Sequence, residues 1–132
     1  MASWNDYVNN IQQCCDDCDK GCILGRDGSI WTTNQDNVLN ISPEEAAKFA
    51  SSLNDQQNDT LTSTGVTMCG EKYNFIRKDD RFLFCKKGGC GSLSIQWTDK
   101  SIIVAHCKEG GCTGKVNEAL HKTMSHLEHC DY

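Results

Sequence analysis

Ten cysteines are the densest chemistry in the chain: Cys14, Cys15, Cys18, Cys22, Cys69, Cys85, Cys90, Cys107, Cys112 and Cys130. Cys15-x-x-Cys18 has the spacing of two zinc ligands, with Cys14 and Cys22 close by. A closed tetrahedral site needs a second tight pair, and only the wider Cys85-x4-Cys90 and Cys107-x4-Cys112 follow. Cys14, Cys18 and Cys22 also fall one helical turn apart. Small thiols that fill a core or sit at the surface account for most of them. The start of the sequence has no basic flank and no apolar run of signal-peptide length. The expectation is therefore a cytosolic protein with free thiols rather than a disulfide framework. The histidines are His106, His121, His126 and His129. His121 and His129 lie two turns apart on the wet side of a helix, a solvated rather than a metal-binding arrangement. There is no G-x-S-x-G, H-E-x-x-H or P-loop, and the carboxylates are scattered. Of the glycine-rich stretches 88–91 and 110–114, the second opens a helix, a weak phosphate context. These residues indicate no catalytic site, cofactor or metal, and point away from an enzyme.

Recognition chemistry is better represented. Trp4, Tyr7, Val8 and Ile11 make one apolar stripe of a short helix. Ser3 and Asp6 supply a capping-box pattern at its start. A helix this short must lie on something larger. Val8 and Ile11 suit the buried contact. From spacing alone, core is the commoner fate of Trp4 and Tyr7. At the edge of the contact, however, half-wet rings would form a surface for proline-rich peptides. Trp31, His126 and Tyr132 extend this aromatic set from distant parts of the chain. A second feature is a polar and basic strip, Lys72, Arg77, Lys86, Lys87 and Lys122.

The elements that must position these groups follow from pattern. Cys22–Gly25 reads as a strand, Arg26-Asp27-Gly28 as a hairpin turn, and Ser29–Thr33 as the returning strand. Ser42-Pro43-Glu44-Glu45 starts a helix with a capping box, burying Ala46, Phe49, Ala50 and Leu53. Strands are expected over 61–68 with a bend at Gly65, then 72–77, 81–86 and 101–106. In 93–98, Leu93, Ile95 and Trp97 alternate with Ser94, Gln96 and Thr98, predicting one buried face. Residues 115–129 form a closing helix with Val116, Ala119, Leu120, Thr123 and Leu127 inside and His126 at the border. The fold class is α+β: a central antiparallel β-sheet meander of six or seven strands, flanked by the N- and C-terminal helices on one side and a smaller helix on the other.

At 132 residues the chain suits one domain, 1–132, with a real core. With 38% hydrophobic and 23% charged residues it is globular rather than disordered. A net charge of −5 argues against nucleic acid and weakens attraction to anionic lipid. No stretch approaches the roughly 20 apolar residues of a membrane span.

Met-Ala-Ser-Trp-Asn-Asp-Tyr-Val at the start, Gly70-Glu71-Lys72-Tyr73-Asn74-Phe75-Ile76-Arg77 in the middle, and Lys108-Glu109-Gly110-Gly111 before a helix ending Ser125-His126-Leu127 resemble profilins. The resemblance runs from the first tryptophan to the last tyrosine. It implies a protein that binds monomeric actin, with a separate site for proline-rich proteins such as formins and an affinity for phosphoinositides. The poly-proline positions it implies are Trp4, Tyr7, Trp31, His126 and Tyr132. The actin positions it implies are Ser63, Lys72, Phe75, Arg77, Lys86, Lys87, Gly111, Gly114, Asn117 and Lys122. Glu118 and Lys122 reverse the charge order of vertebrate profilins, Cys112 replaces a histidine, and the acidic balance implies only weak phosphoinositide binding. Glu118 and Lys122, four apart, are expected to pair with each other. The alternatives are a profilin-fold binder of proline-rich ligands with weak or lost actin affinity, and a cysteine-based metal or redox protein.

Overall fold

The computed structural model describes residues 4–33, 36–54, 65–79 and 81–132. Its elements are α1 (Trp4–Cys14), β1 (Cys18–Gly25), α2 (Pro43–Asn54), β2 (Val66–Met68), β3 (Glu71–Asp79), β4 (Phe82–Lys87), β5 (Gly91–Trp97), β6 (Ser101–Cys107) and α3 (Thr113–His129). The strands form one six-stranded sheet in the order β1-β6-β5-β4-β3-β2, antiparallel throughout. Strands β2 to β6 make the expected meander, and β1 joins it beside β6.

Pleating sends alternate side chains to opposite layers. Ile102 and Val104 enter one core with Leu93, Ile95, Leu83 and the α2 residues Ala46, Phe49 and Leu53. Ile103, Ala105 and Cys107 enter the other with Val8 and Ile11 of α1 and Val116, Leu120 and Leu127 of α3. Both terminal helices therefore lie on one face and α2 on the other. The helix alone on its face is not the smaller one, since α2 has 12 residues and α1 has 11. The α2 capping box is present: Glu45 N–H donates to Ser42 Oγ at 3.1 Å, and Ser42 N–H to Glu45 Oε1 at 3.2 Å.

Four strand expectations need correction. Every residue of β5 is buried, not one face only. Ser92, Ser94 and Gln96 lie on the side covered by α3, where Gln96 Nε2 donates to the Asn117 carbonyl at 3.2 Å. Strand β1 begins at Cys18, four residues early, because Asp17 and Lys108 continue its pairing with β6. Arg81 precedes β4 with φ of 58°, a turn conformation. Ser29–Thr33 is not a strand. One bridge, Leu24 to Ile30, follows the turn, and then side chains replace the ladder. Asn5 Nδ2 donates to the Thr33 carbonyl (3.1 Å) and Thr33 Oγ1 (3.0 Å), and Thr33 N–H donates to Asn5 Oδ1 (2.8 Å). Strand β2 covers Val66–Met68, with Gly65 at φ of 74° before it; 61–64 and the Ser3 cap lie outside the described residues. In α3 the buried stripe uses Met124, while Thr123 is half-buried and donates to the Ala119 carbonyl.

All ten cysteines are free thiols. Cys15, Cys18 and Cys107 pack in the core under α1 and α3; Cys22 and Cys85 pack in the core under α2. Burial pushes the Cys18 and Cys85 thiols up to about 12, with Asp19 adding to the effect at Cys18. Burial also raises Cys22 and Cys107. A thiol must ionise to react, so native protein at about pH 8 should alkylate at exposed Cys14, Cys112 and Cys130 well before these four. Mass spectrometry after timed labelling checks this, and equal rates at Cys22 and Cys14 would contradict the packing. Asn5→Leu should lower unfolding free energy by about 2 kcal/mol in urea, because it leaves the Thr33 amide without its partner. An unchanged midpoint would show that the Asn5–Thr33 clasp carries no weight.

Candidate functional site

The terminal helices and the 29–33 segment bring five residues from distant parts of the chain into one cluster. The Trp4 ring lies 4.6 Å from Trp31 at 39° and 5.5 Å from Tyr7 at 34°. Tyr132 meets Trp4 edge-on, at 4.9 Å and 89°, and stands 6.1 Å from Trp31. The His126 ring is 5.9 Å from Tyr7. Trp4, Tyr7 and Trp31 rest on the core that α1 and α3 share, and each is half-buried. His126 is exposed, and Tyr132 is 44% exposed. The rings are neither core nor loose surface. They are the open rim of a packed layer.

The placement of Tyr132 comes from the end of α3. Asp131 takes a left-handed φ of 69°. Tyr132 N–H then donates back to the Leu127 carbonyl at 2.8 Å, and Asp131 N–H to the Glu128 carbonyl at 3.1 Å. This is a Schellman cap with Asp where glycine is usual. The Tyr132 carbonyl accepts from the hydroxyls of Thr98 and Ser101, both buried in the β5–β6 turn. Sequence reasoning missed Asn5, Thr98, Ser101 and Asp131. Each is a small polar residue whose partner lies about 30 positions away or depends on a cap geometry that Asp rarely adopts.

The second group of expected residues is split by the pleat. Lys86 pairs with Asn74 and Ser92, and Arg77 pairs with Phe84 across the ladder. Lys72, Asn74, Arg77, Phe82, Phe84 and Lys86 thus share the sheet face on the α1/α3 side, beyond the cover of α3. Lys72, Arg77 and Lys86 are exposed there, and Phe82 and Phe84 are half-buried. Lys87 and Phe75 point to the opposite face. Phe75 packs against the α2-side core, and Lys87 pairs with Glu71, whose carboxylate raises the Lys87 ammonium above its ordinary value. Arg77 is also engaged, with Asp79 at 2.5 Å. On α3, Gly114 and Lys122 are exposed, Gly111 and Asn117 half-buried. Glu118 and Lys122, expected to pair, form no ion pair among the described residues. The α3 N-terminus is capped from a distance, by Asp17 Oδ2 accepting from Cys112 N–H at 2.9 Å. Ser63 lies outside the described residues. No group of three or more metal-ligating side chains with suitable geometry occurs among the described residues, and none of their helices is long and apolar enough to cross a membrane.

The family model for profilin matches residues 2–132. A profilin of Strongylocentrotus purpuratus is 37% identical over 137 residues, covering 96% of each chain. The crystal structure of Acanthamoeba castellanii profilin II superposes with a TM-score of 0.84 at 26% identity, covering 98% of this chain and 100% of that one. The same fold is seen in mouse profilin IIa in complex with a double repeat from the FH1 domain of mDia1, with a TM-score of 0.77, 20% identity and coverage of 99% and 100%. It is seen again in a LokiProfilin2/rabbit actin complex, with a TM-score of 0.71, 16% identity and coverage of 92% and 95%. Sequence match over nearly the whole length, sheet order and helix placement agree, and this chain belongs to the profilin family.

Proposed function

We propose that this chain is a cytosolic regulator of actin polymerisation that acts by binding rather than by catalysis. One profilin domain over residues 1–132 takes proline-rich segments on the rings of Trp4, Tyr7, Trp31, His126 and Tyr132. Monomeric actin is taken on the face carrying Lys72, Arg77, Lys86 and the exposed side of α3. The observation that carries the first half is the set of rings from three chain segments, packed on a rigid core yet open to solvent. A poly-proline II helix is already extended, so docking it on fixed rings costs little ordering entropy. Proline has no N–H, so such a ligand offers only acceptors. The platform offers the donors that match it: the Trp4 indole N–H and the Tyr7 and Tyr132 hydroxyls. The mouse relative bound to an FH1 repeat and the LokiProfilin2 bound to rabbit actin support the two partner classes.

Actin binding here means positive charge beside the half-buried Phe82 and Phe84, a mixed apolar and charged contact. Tighter binding to one conformation of actin would speed its nucleotide exchange. Lys72 and Lys86 could also attract phosphoinositide headgroups, weakly and with strong salt sensitivity, against the net charge of −5. A second reading keeps the proline site with weakened actin affinity. The pairing of Lys87 with Glu71 on the far face favours it, as does Glu118, which forms no ion pair with Lys122 among the described residues.

Two measurements test these assignments. Trp4→Ala should cost about 2 kcal/mol or more in binding poly-L-proline by calorimetry, as truncation of a central aromatic does. Full retention of affinity would remove the platform from the account. For actin, Lys86→Glu should weaken monomer binding about fivefold at low salt, with Lys87→Glu closer to parental, since only the first charge faces the proposed partner. Equal losses in the two variants would mean that the face is misplaced. Undetectable binding by the parent would select the second reading.

A further inference from the structure

Three polar atoms converge above one bare α-carbon beside the aromatic platform. The Trp31 Nε1–H donates to Ser29 Oγ at 2.9 Å, and the Ser29 hydroxyl donates to Asp27 Oδ1 at 2.6 Å. The same carboxylate oxygen accepts from Ser29 N–H at 3.0 Å. A Cβ on Gly25 would lie 2.6 Å from Asp27 Oδ1, 2.6 Å from Ser29 Oγ and 2.9 Å from Trp31 Nε1. Gly25 is not among the glycines with positive φ, so its backbone does not call for glycine. The space above it does, and that space is filled by the relay.

We infer that the Gly25–Ser29 turn is a positioning device for Trp31, in which Asp27 orients the Ser29 hydroxyl and the hydroxyl fixes the indole plane for ligand stacking. This rests on the reading of the platform as a proline-rich ligand site.

The donor arithmetic leaves one arrangement. An indole nitrogen only donates, a carboxylate only accepts, and a hydroxyl has one proton with two lone pairs. The Ser29 proton goes to Asp27, so a lone pair is left for Trp31. Without Asp27 the hydroxyl can rotate its proton toward the indole and lose the bond. The two bonds from Ser29, the hydroxyl before the amide, hold the Asp27 carboxyl below its ordinary range, as expected for an ionised acceptor at the end of the chain. The χ2 torsion of tryptophan is broad, and a half-exposed ring would otherwise sample several planes. The relay selects the one that puts Trp31 4.6 Å from Trp4 at 39° and near the edge of Tyr132. Part of the ordering cost of a bound ligand is then met before it arrives. None of the three relay residues needs to touch the ligand except Trp31.

The test uses nitrogen-15-labelled protein and a proline decamer. In Ser29→Ala and Asp27→Ala, the Trp31 indole N–H resonance should move upfield and exchange faster with water. Their dissociation constants for the decamer should rise about fivefold, the size of one lost hydrogen bond. Ser29→Thr, which keeps the hydroxyl at an exposed position, should restore both the resonance and the affinity to within about twofold. Gly25→Ala leaves every polar group in place but occupies their space, and it should reproduce the loss. Parental affinity in Ser29→Ala, or a Trp31 resonance indifferent to it, would overturn the inference while leaving the platform reading intact. Failure of the parent itself to bind the decamer would overturn both the platform reading and the ligand role of the turn; the indole resonances would still report whether the relay forms.

Discussion

Burial of the central strands on both faces is the constraint from which the rest follows. Every residue of β5 and β6 is buried, so the sheet needs a layer on each side. On one side α2 and the 38–41 segment supply it. On the other, α1 and α3 must lie side by side, and their contact is made by Val8, Ile11, Val116, Leu120 and Leu127. Each such side chain is worth roughly 1.5–3 kcal/mol when fully buried. That packing fixes where the two ends of the chain can be. The aromatic platform is its consequence: rings from the start of α1, the end of α3 and the 29–33 segment meet at the open edge of that layer.

The open rim is then made rigid by polar bonds rather than by more burial. Asn5 ties α1 to Thr33, the cap at Asp131 turns Tyr132 back over Trp4, and Thr98 with Ser101 holds the Tyr132 carbonyl. These bonds cost little apolar area, so the rings stay available. A platform buried more deeply would be more stable and would have no surface to offer. The cysteines follow the opposite logic. Five of the ten are nearly inaccessible and behave as small apolar side chains, and the burial that stabilises the core also pushes up the thiols of Cys18, Cys22, Cys85 and Cys107.

Much of this was legible in the sequence where pattern and chemistry are local. The Ser42–Glu45 capping box, the apolar stripe of α1, that of α3 except for Met124 in place of Thr123, and the meander from Lys72 onward can be read directly. The five aromatic positions were identified as a set, and the structure places them together. What could not be read depends on distant partners. Ile30-Trp31-Thr32-Thr33 has β-branched and aromatic residues suited to a strand, but Asn5 competes for the backbone of Thr33 and wins. Ser92, Ser94 and Gln96 look like a wet face because nothing local announces that α3 will cover them. The grouping of Lys87 with Lys86 is a different kind of miss. Adjacent residues of a strand point to opposite faces, so one stretch of basic sequence becomes two surfaces, one of them neutralised by Glu71.

The central claim is that a ligand surface sits on the rim of the α1–α3 layer and nowhere else near an indole. The three tryptophans test it in one spectrum. Trp4 and Trp31 belong to the rim, while Trp97 is buried on the α2 side of the sheet. In a titration with a proline decamer followed by proton–nitrogen correlation spectra, the Trp4 and Trp31 indole resonances should shift together and saturate at one dissociation constant, with Trp97 unmoved. Three unmoved resonances, or a shift led by Trp97, would contradict the account.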